Sequence, residues 1–195
     1  MLGECQATAV GGSSAEPFSE MRILYVASGG SVDPIAIPDA PASAKFTIAY
    51  GDALTAVHRG DINALNDAAG RLRALQKEQD DKKPGYRERV GIVLQQVEAM
   101  QLSAQGKKDE AIAMLQKAAV AESAMPFEFG PPTIEKPTYE LLADEQLSTG
   151  RAADAEKAYR TALERTPGRT PAVEGLRKAQ KERSANDARR AASSR

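Results

Sequence analysis

From Ala44 onward, apolar residues recur three and four positions apart in successive blocks, each closed by glycine or proline, which is the pattern of amphipathic helices joined by short turns. The spacing predicts helices over 44–58, 61–79, 86–105, 107–123, 136–149, 151–165 and 170–186. Within 107–123, Ile112, Leu115 and Ala119 share one face, and within 151–165, Ala155, Ala158, Tyr159, Ala162 and Leu163 do the same. Gly60, Gly106 and Gly150 each fall in a break between two helices so tight that the chain must reverse through a positive φ. Before Ala44 the pattern fails. Gly11-Gly12-Ser13-Ser14, Gly29-Gly30-Ser31 and prolines at 17, 34, 38 and 41 interrupt every helical window, so residues 1–43 are expected to be mostly irregular. One apolar run there, Met21 to Ala27, fits a strand or a short helix equally well. Residues 187–195 read as a disordered basic tail.

The blocks repeat. Gly106-Lys-Lys-Asp-Glu-Ala111-Ile-Ala-Met-Leu115-Gln-Lys-Ala118 aligns without gaps on Gly150-Arg-Ala-Ala-Asp-Ala155-Glu-Lys-Ala-Tyr159-Arg-Thr-Ala162, a spacing of 44 residues. A fainter copy begins at Gly60, with Leu65, Ala69 and Leu72 in corresponding places. Repeats of this length signal helical units that bury a face only against their neighbours. The third unit resembles the tetratricopeptide repeat (TPR): Tyr139, Leu142, Ala143, Ala155, Tyr159, Ala162 and Pro167 stand in register with that motif, and Gln146 departs from it where an aromatic is usual. The middle unit keeps Ala99, Gly106, Ala111 and Ala118 but carries Gln95 in place of a large residue and has no closing proline. The first unit retains Ala53 and Gly60. The resemblance implies an all-α fold, a short stack of antiparallel helix pairs (units 44–79, 86–123 and 136–165) with 170–186 as a capping helix. The insert from Ala124 to Pro132 is similar to one found in uncharacterised bacterial TPR proteins.

Composition agrees with thin helical layers. Of 195 residues, 35 are alanine and nine are aromatic, with no tryptophan, so closely approaching helices fit better than one thick core. Charge gives no global pull toward nucleic acid or an anionic membrane, because 26 Lys+Arg offset 27 Asp+Glu for a net charge of −1. Only the stretch Arg177–Arg195 is basic, with seven cations against Glu182 and Asp187. It has no interleaved aromatics for base stacking, so it predicts at most weak, salt-sensitive contact with nucleic acid. No apolar run is long enough to span a bilayer, and no signal-peptide pattern opens the chain, so a cytoplasmic location is expected.

Chemistry is sparse. His58 is the only histidine and Cys5 the only cysteine, which excludes multi-histidine or cysteine-rich metal sites and argues against a catalytic triad; no cofactor, no metal and no enzymatic activity are expected. Arg59-Gly60-Asp61 is read as a turn in which Asp61 caps the following helix. By TPR motif position, Gln96, Met100, Glu140 and Asp144 would line a concave groove. There the acidic pair, with Glu145 beside it, could receive a basic or amine-bearing peptide end, against the plainer reading of ordinary surface charge. Phe127 and Phe129, with Met125, are candidates for an apolar clamp on a partner, or else pack on the helix pairs. The resulting expectation is a non-catalytic scaffold for a protein or peptide partner. Two alternatives stay open: that the chain is the C-terminal piece of a larger enzyme or regulator, and that its basic tail associates with nucleic acid.

Overall fold

The structure is a computed structural model and describes residues 14–78, 86–126 and 134–193. Among the described residues all regular structure is helical, without a strand. The helices are α1 (Ala15–Ala27), α2 (Ala42–Arg59), α3 (Ile62–Gln76), α4 (Tyr86–Ala104), α5 (Lys108–Ala124), α6 (Thr138–Ser148), α7 (Ala152–Arg165) and α8 (Thr170–Ser193).

Three turns are built alike. Gly60, Gly106 and Gly150 adopt φ of 67°, 81° and 76°, values that L-residues with a Cβ rarely adopt. In each, the amide one residue on reaches back to close the helix end: Asp61 N to Ala56 O, Lys107 N to Leu102 O and Arg151 N to Gln146 O, all 2.9 Å. Asp61 also caps α3, accepting from Ala64 N at 3.0 Å. These turns fold α2 onto α3, α4 onto α5 and α6 onto α7, the most extensive helix contacts in the chain. The first helices of successive pairs also touch, α2 with α4, α4 with α6 and α6 with α8.

Two expectations are adjusted. Residues 1–43, expected to be mostly irregular, contain α1 over 15–27, and the run Met21 to Ala27, which by pattern fits a strand or a short helix, is its second half. Its buried stripe, Ala15, Ser19, Arg22, Ile23, Val26 and Ala27, has helical spacing. Two of those six are polar, which hides the helix from an apolar pattern, and Pro17 lies in the first turn, where no backbone N–H is needed. Arg22 is tolerated inside because its guanidinium donates to Asp52 Oδ1 at 2.6 Å and to Asp33 O at 2.8 Å. The other correction is at the C-terminus: α8 runs to Ser193, past the expected end at 186 and into the stretch read as disordered. After Gly175 no glycine or proline interrupts it, and Ala185, Ala188, Ala191 and Ala192 favour its continuation.

The interior is divided. One apolar cluster joins α1, α2, α3 and α4 with Ala118 and Ile134; another joins Ala99 and α5 to α6, α7 and α8; a small third one joins Ala15, Ile37, Ala40, Ala44 and Ile48. Half of the buried apolar residues are alanines, among them Ala99, Ala111, Ala118, Ala143, Ala155 and Ala162. Small side chains let the helix axes approach, so each layer is thin.

Candidate functional site

The four residues Ile134–Pro137, which lead into α6, are held by side chains of α4 and α6, with Ile134 fully buried in the first cluster, to which Tyr50, Val93 and Val97 also belong. Proline at 137 holds an extended backbone immediately before the helix, at φ −54° and ψ 136°.

Gln96 on α4 is the hub. It is fully buried, and its Nε2 donates to Lys136 O at 3.0 Å and to Thr138 Oγ1 at 2.7 Å, while its Oε1 accepts from the Tyr50 hydroxyl. A primary amide suits this position because it donates and accepts at once, so one side chain satisfies both a helix partner and a passing peptide carbonyl. Burial, reinforced by the carboxylates of Glu135 and Glu122, pushes the Tyr50 hydroxyl well above its ordinary pKa, keeping it a proton donor.

Charges complete the site. Glu135 Oε1 meets Arg89 Nη2 at 2.7 Å. The Lys136 ammonium reaches Glu140 Oε1 at 2.6 Å and Asp144 Oδ2 at 2.7 Å. Burial alone would depress that ammonium, but Asp144 and Glu140 outweigh it and the net shift is upward. The second oxygen of Glu140 accepts from Arg169 Nε at 2.6 Å, and Arg169 Nη2 donates to Ala27 O at 2.8 Å, tying the loop before α8 to the C-terminal end of α1. Asp144 Oδ1 accepts from the Tyr159 hydroxyl, whose pKa rises through burial and then the Asp144 charge. Thr138 N donates to Glu122 Oε2 at 2.7 Å; burial raises the Glu122 pKa against the Thr138 hydrogen bonds and the Arg165 charge.

Of the sequence-derived groove residues, Gln96, Glu140 and Asp144 all engage Lys136, Met100 lies in the first cluster, and most of the four are not on an open surface. Gln96 and Glu140 are fully buried and Met100 is 6 % exposed, so these three do not face a partner; only Asp144 keeps an exposed side chain. The physical reason is the occupying segment, whose Lys136 neutralises the two carboxylates expected to attract an external cation. Glu145 is engaged elsewhere, by Lys108 at 3.0 Å and by the Ser103 hydroxyl. Phe127 and Phe129 lie outside the described residues, whereas Met125 packs against the first cluster. His58, in the last turn of α2, places its Nδ1 3.3 Å from Gly30 O on the surface. Tyr50, Arg89, Lys136 and Arg169 escaped the sequence reading, although the i, i+4, i+8 order of Lys136, Glu140 and Asp144 is a legible charge pattern.

Chemically the arrangement holds a non-helical stretch of its own chain through one main-chain carbonyl and two charged side chains. Among the described residues no group of three or more His, Cys, Asp or Glu side chains could hold a metal ion, and no helix is long and apolar enough to cross a membrane. No protein-family model, curated protein or solved structure matches the chain.

Proposed function

We propose that the chain is a non-catalytic protein-interaction module, a TPR-like stack of helix pairs that holds a non-helical peptide against the concave face of its first helices. The observation that carries this reading is the hydrogen bond from Gln96 Nε2 to Lys136 O. A side chain from a first helix takes a main-chain carbonyl of a non-helical segment, which is how a peptide-binding face secures a ligand irrespective of its side chains. The three like-built glycine turns and the contacts between successive first helices support a stacked arrangement.

Affinity capture from source cells, followed by titration of each purified captured protein against the intact chain, tests the reading. The expected result is a partner that binds in purified form and binds more weakly to a folded Asp144→Lys variant, since Asp144 is the exposed end of the ammonium clamp. Absence of any partner that binds in purified form, or partners indifferent to that substitution, would contradict it.

A further inference from the structure

We propose that Ile134-Glu135-Lys136-Pro137 is an intramolecular stand-in for the natural ligand, so the partner presents a non-helical segment with an aliphatic, then an acidic, then a basic residue ahead of proline. This rests on the peptide-binding reading above and names the chemistry it selects. Four contacts define the order. Ile134 fills an apolar hole in the first cluster; Glu135 pairs with Arg89, both side chains only 12–13 % exposed; Lys136 is clamped by Glu140 and Asp144; and Gln96 fixes the backbone between them. The polar receptor groups Arg89, Gln96, Glu140 and Asp144 belong to α4 and α6, whereas the segment itself forms no helix. The opposite charges at Arg89 and at the Glu140–Asp144 pair set the polarity of any occupant: acid first, base second.

The present occupant is held imperfectly. Glu135 Oε2 is buried without a hydrogen-bond partner, a cost carried by the segment and escaped by a ligand whose acid is placed differently. The clamp end is open to solvent at Asp144, 44 % exposed, which gives an incoming peptide a place to start. A tethered segment competes at an effective concentration in the millimolar range, so the intact chain is expected to bind weakly and a chain with a loosened segment tightly.

The test uses a fluorescently labelled synthetic peptide, Thr-Ile-Glu-Lys-Pro-Thr, titrated by anisotropy into the full chain and into two variants, Ile134→Ser and Glu135→Lys, each checked for helicity by circular dichroism. The folded variants are expected to bind at least about tenfold tighter than the intact chain, and a peptide with the Glu and Lys exchanged is expected to lose that gain. In the intact chain, millimolar peptide is expected to accelerate amide exchange at residues 134–136 as the segment is displaced, a readout that needs no variant. Equal binding of both peptide orders, no gain in a folded variant, or unchanged exchange at saturating peptide overturns the proposal. Should a captured cellular partner bind while the synthetic peptide does not, the module reading survives and only this ligand assignment falls; if neither binds, both fall.

Discussion

At the scale of single residues, Gln96 carries the most. Replacing it with leucine keeps the volume but strands the Tyr50 hydroxyl, the Lys136 carbonyl and one bond of Thr138 in a buried place. Unpaired buried groups each cost about 1–3 kcal/mol, so Gln96→Leu is expected to lower stability by about 2–4 kcal/mol in chemical denaturation. Glu122 works in the other direction. Its folded pKa lies above the ordinary 4.5, so the native state holds the proton more tightly than the unfolded chain does. Its contribution therefore favours folding below about pH 4.5 and is lost as pH rises through the folded value. Glu122→Gln preserves an acceptor for Thr138 N and removes that penalty. Thermal unfolding should show the variant more stable than the parent at neutral pH and no more stable at pH 4. Motif position set Gln96, Met100, Glu140 and Asp144 on one groove; in the structure Lys136 links Gln96 to Glu140 and Asp144, while Met100 is buried in the first cluster. Their burial was not legible, because the residues that cover them follow a proline-rich stretch in which no periodicity indicates where the chain goes.

At the scale of helices, glycine marks what could and could not be read. Gly60, Gly106 and Gly150 announced three turns because only a residue without a Cβ sits comfortably at those positive φ values. Helix α1 was hidden by Ser19 and Arg22 on its buried stripe, polar residues whose partners, Glu16 O and Asp52, appear only once the chain is folded. Two helical glycines give opposite expectations. Gly70 in α3 has open space where a Cβ would stand, so Gly70→Ala should stabilise by about 0.5–1 kcal/mol through helix propensity alone. At Gly175 in α8 a Cβ would lie 2.3 Å from Tyr159 Cζ, and that ring is 2 % exposed and anchored through its hydroxyl to Asp144. Gly175→Ala should lower stability by about 1–3 kcal/mol despite the same gain in propensity. Differential scanning calorimetry of the two variants checks both signs. Equal shifts would place α8 wrongly against α7.

For the whole molecule, the question is how the two larger apolar clusters act as one body. Arg169 answers part of it, since it binds Glu140 near the second cluster and the last carbonyl turn of α1 near the first, across 142 residues of sequence. Arg169→Met should leave Glu140 buried with one cation fewer and free the end of α1. The expected outcome is a loss of about 3–5 kcal/mol together with faster amide exchange in 15–27 than in α4; uniform exchange across the chain would contradict the coupling. The occupying segment answers the rest, because Ile134 enters the first cluster while Lys136 is held by α6. The proposed peptide-binding role depends on that segment lying against α4 and α6. A double-mutant cycle on Arg89 and Glu135 measures this most directly, through chemical denaturation of Arg89→Glu, Glu135→Arg and the pair. Each single variant sets like charges together at side chains 12–13 % exposed and should be destabilised, while the exchanged pair recovers a coupling of about 1–3 kcal/mol. Strictly additive losses would mean that Glu135 does not meet Arg89, and α4 and α6 would not hold this segment.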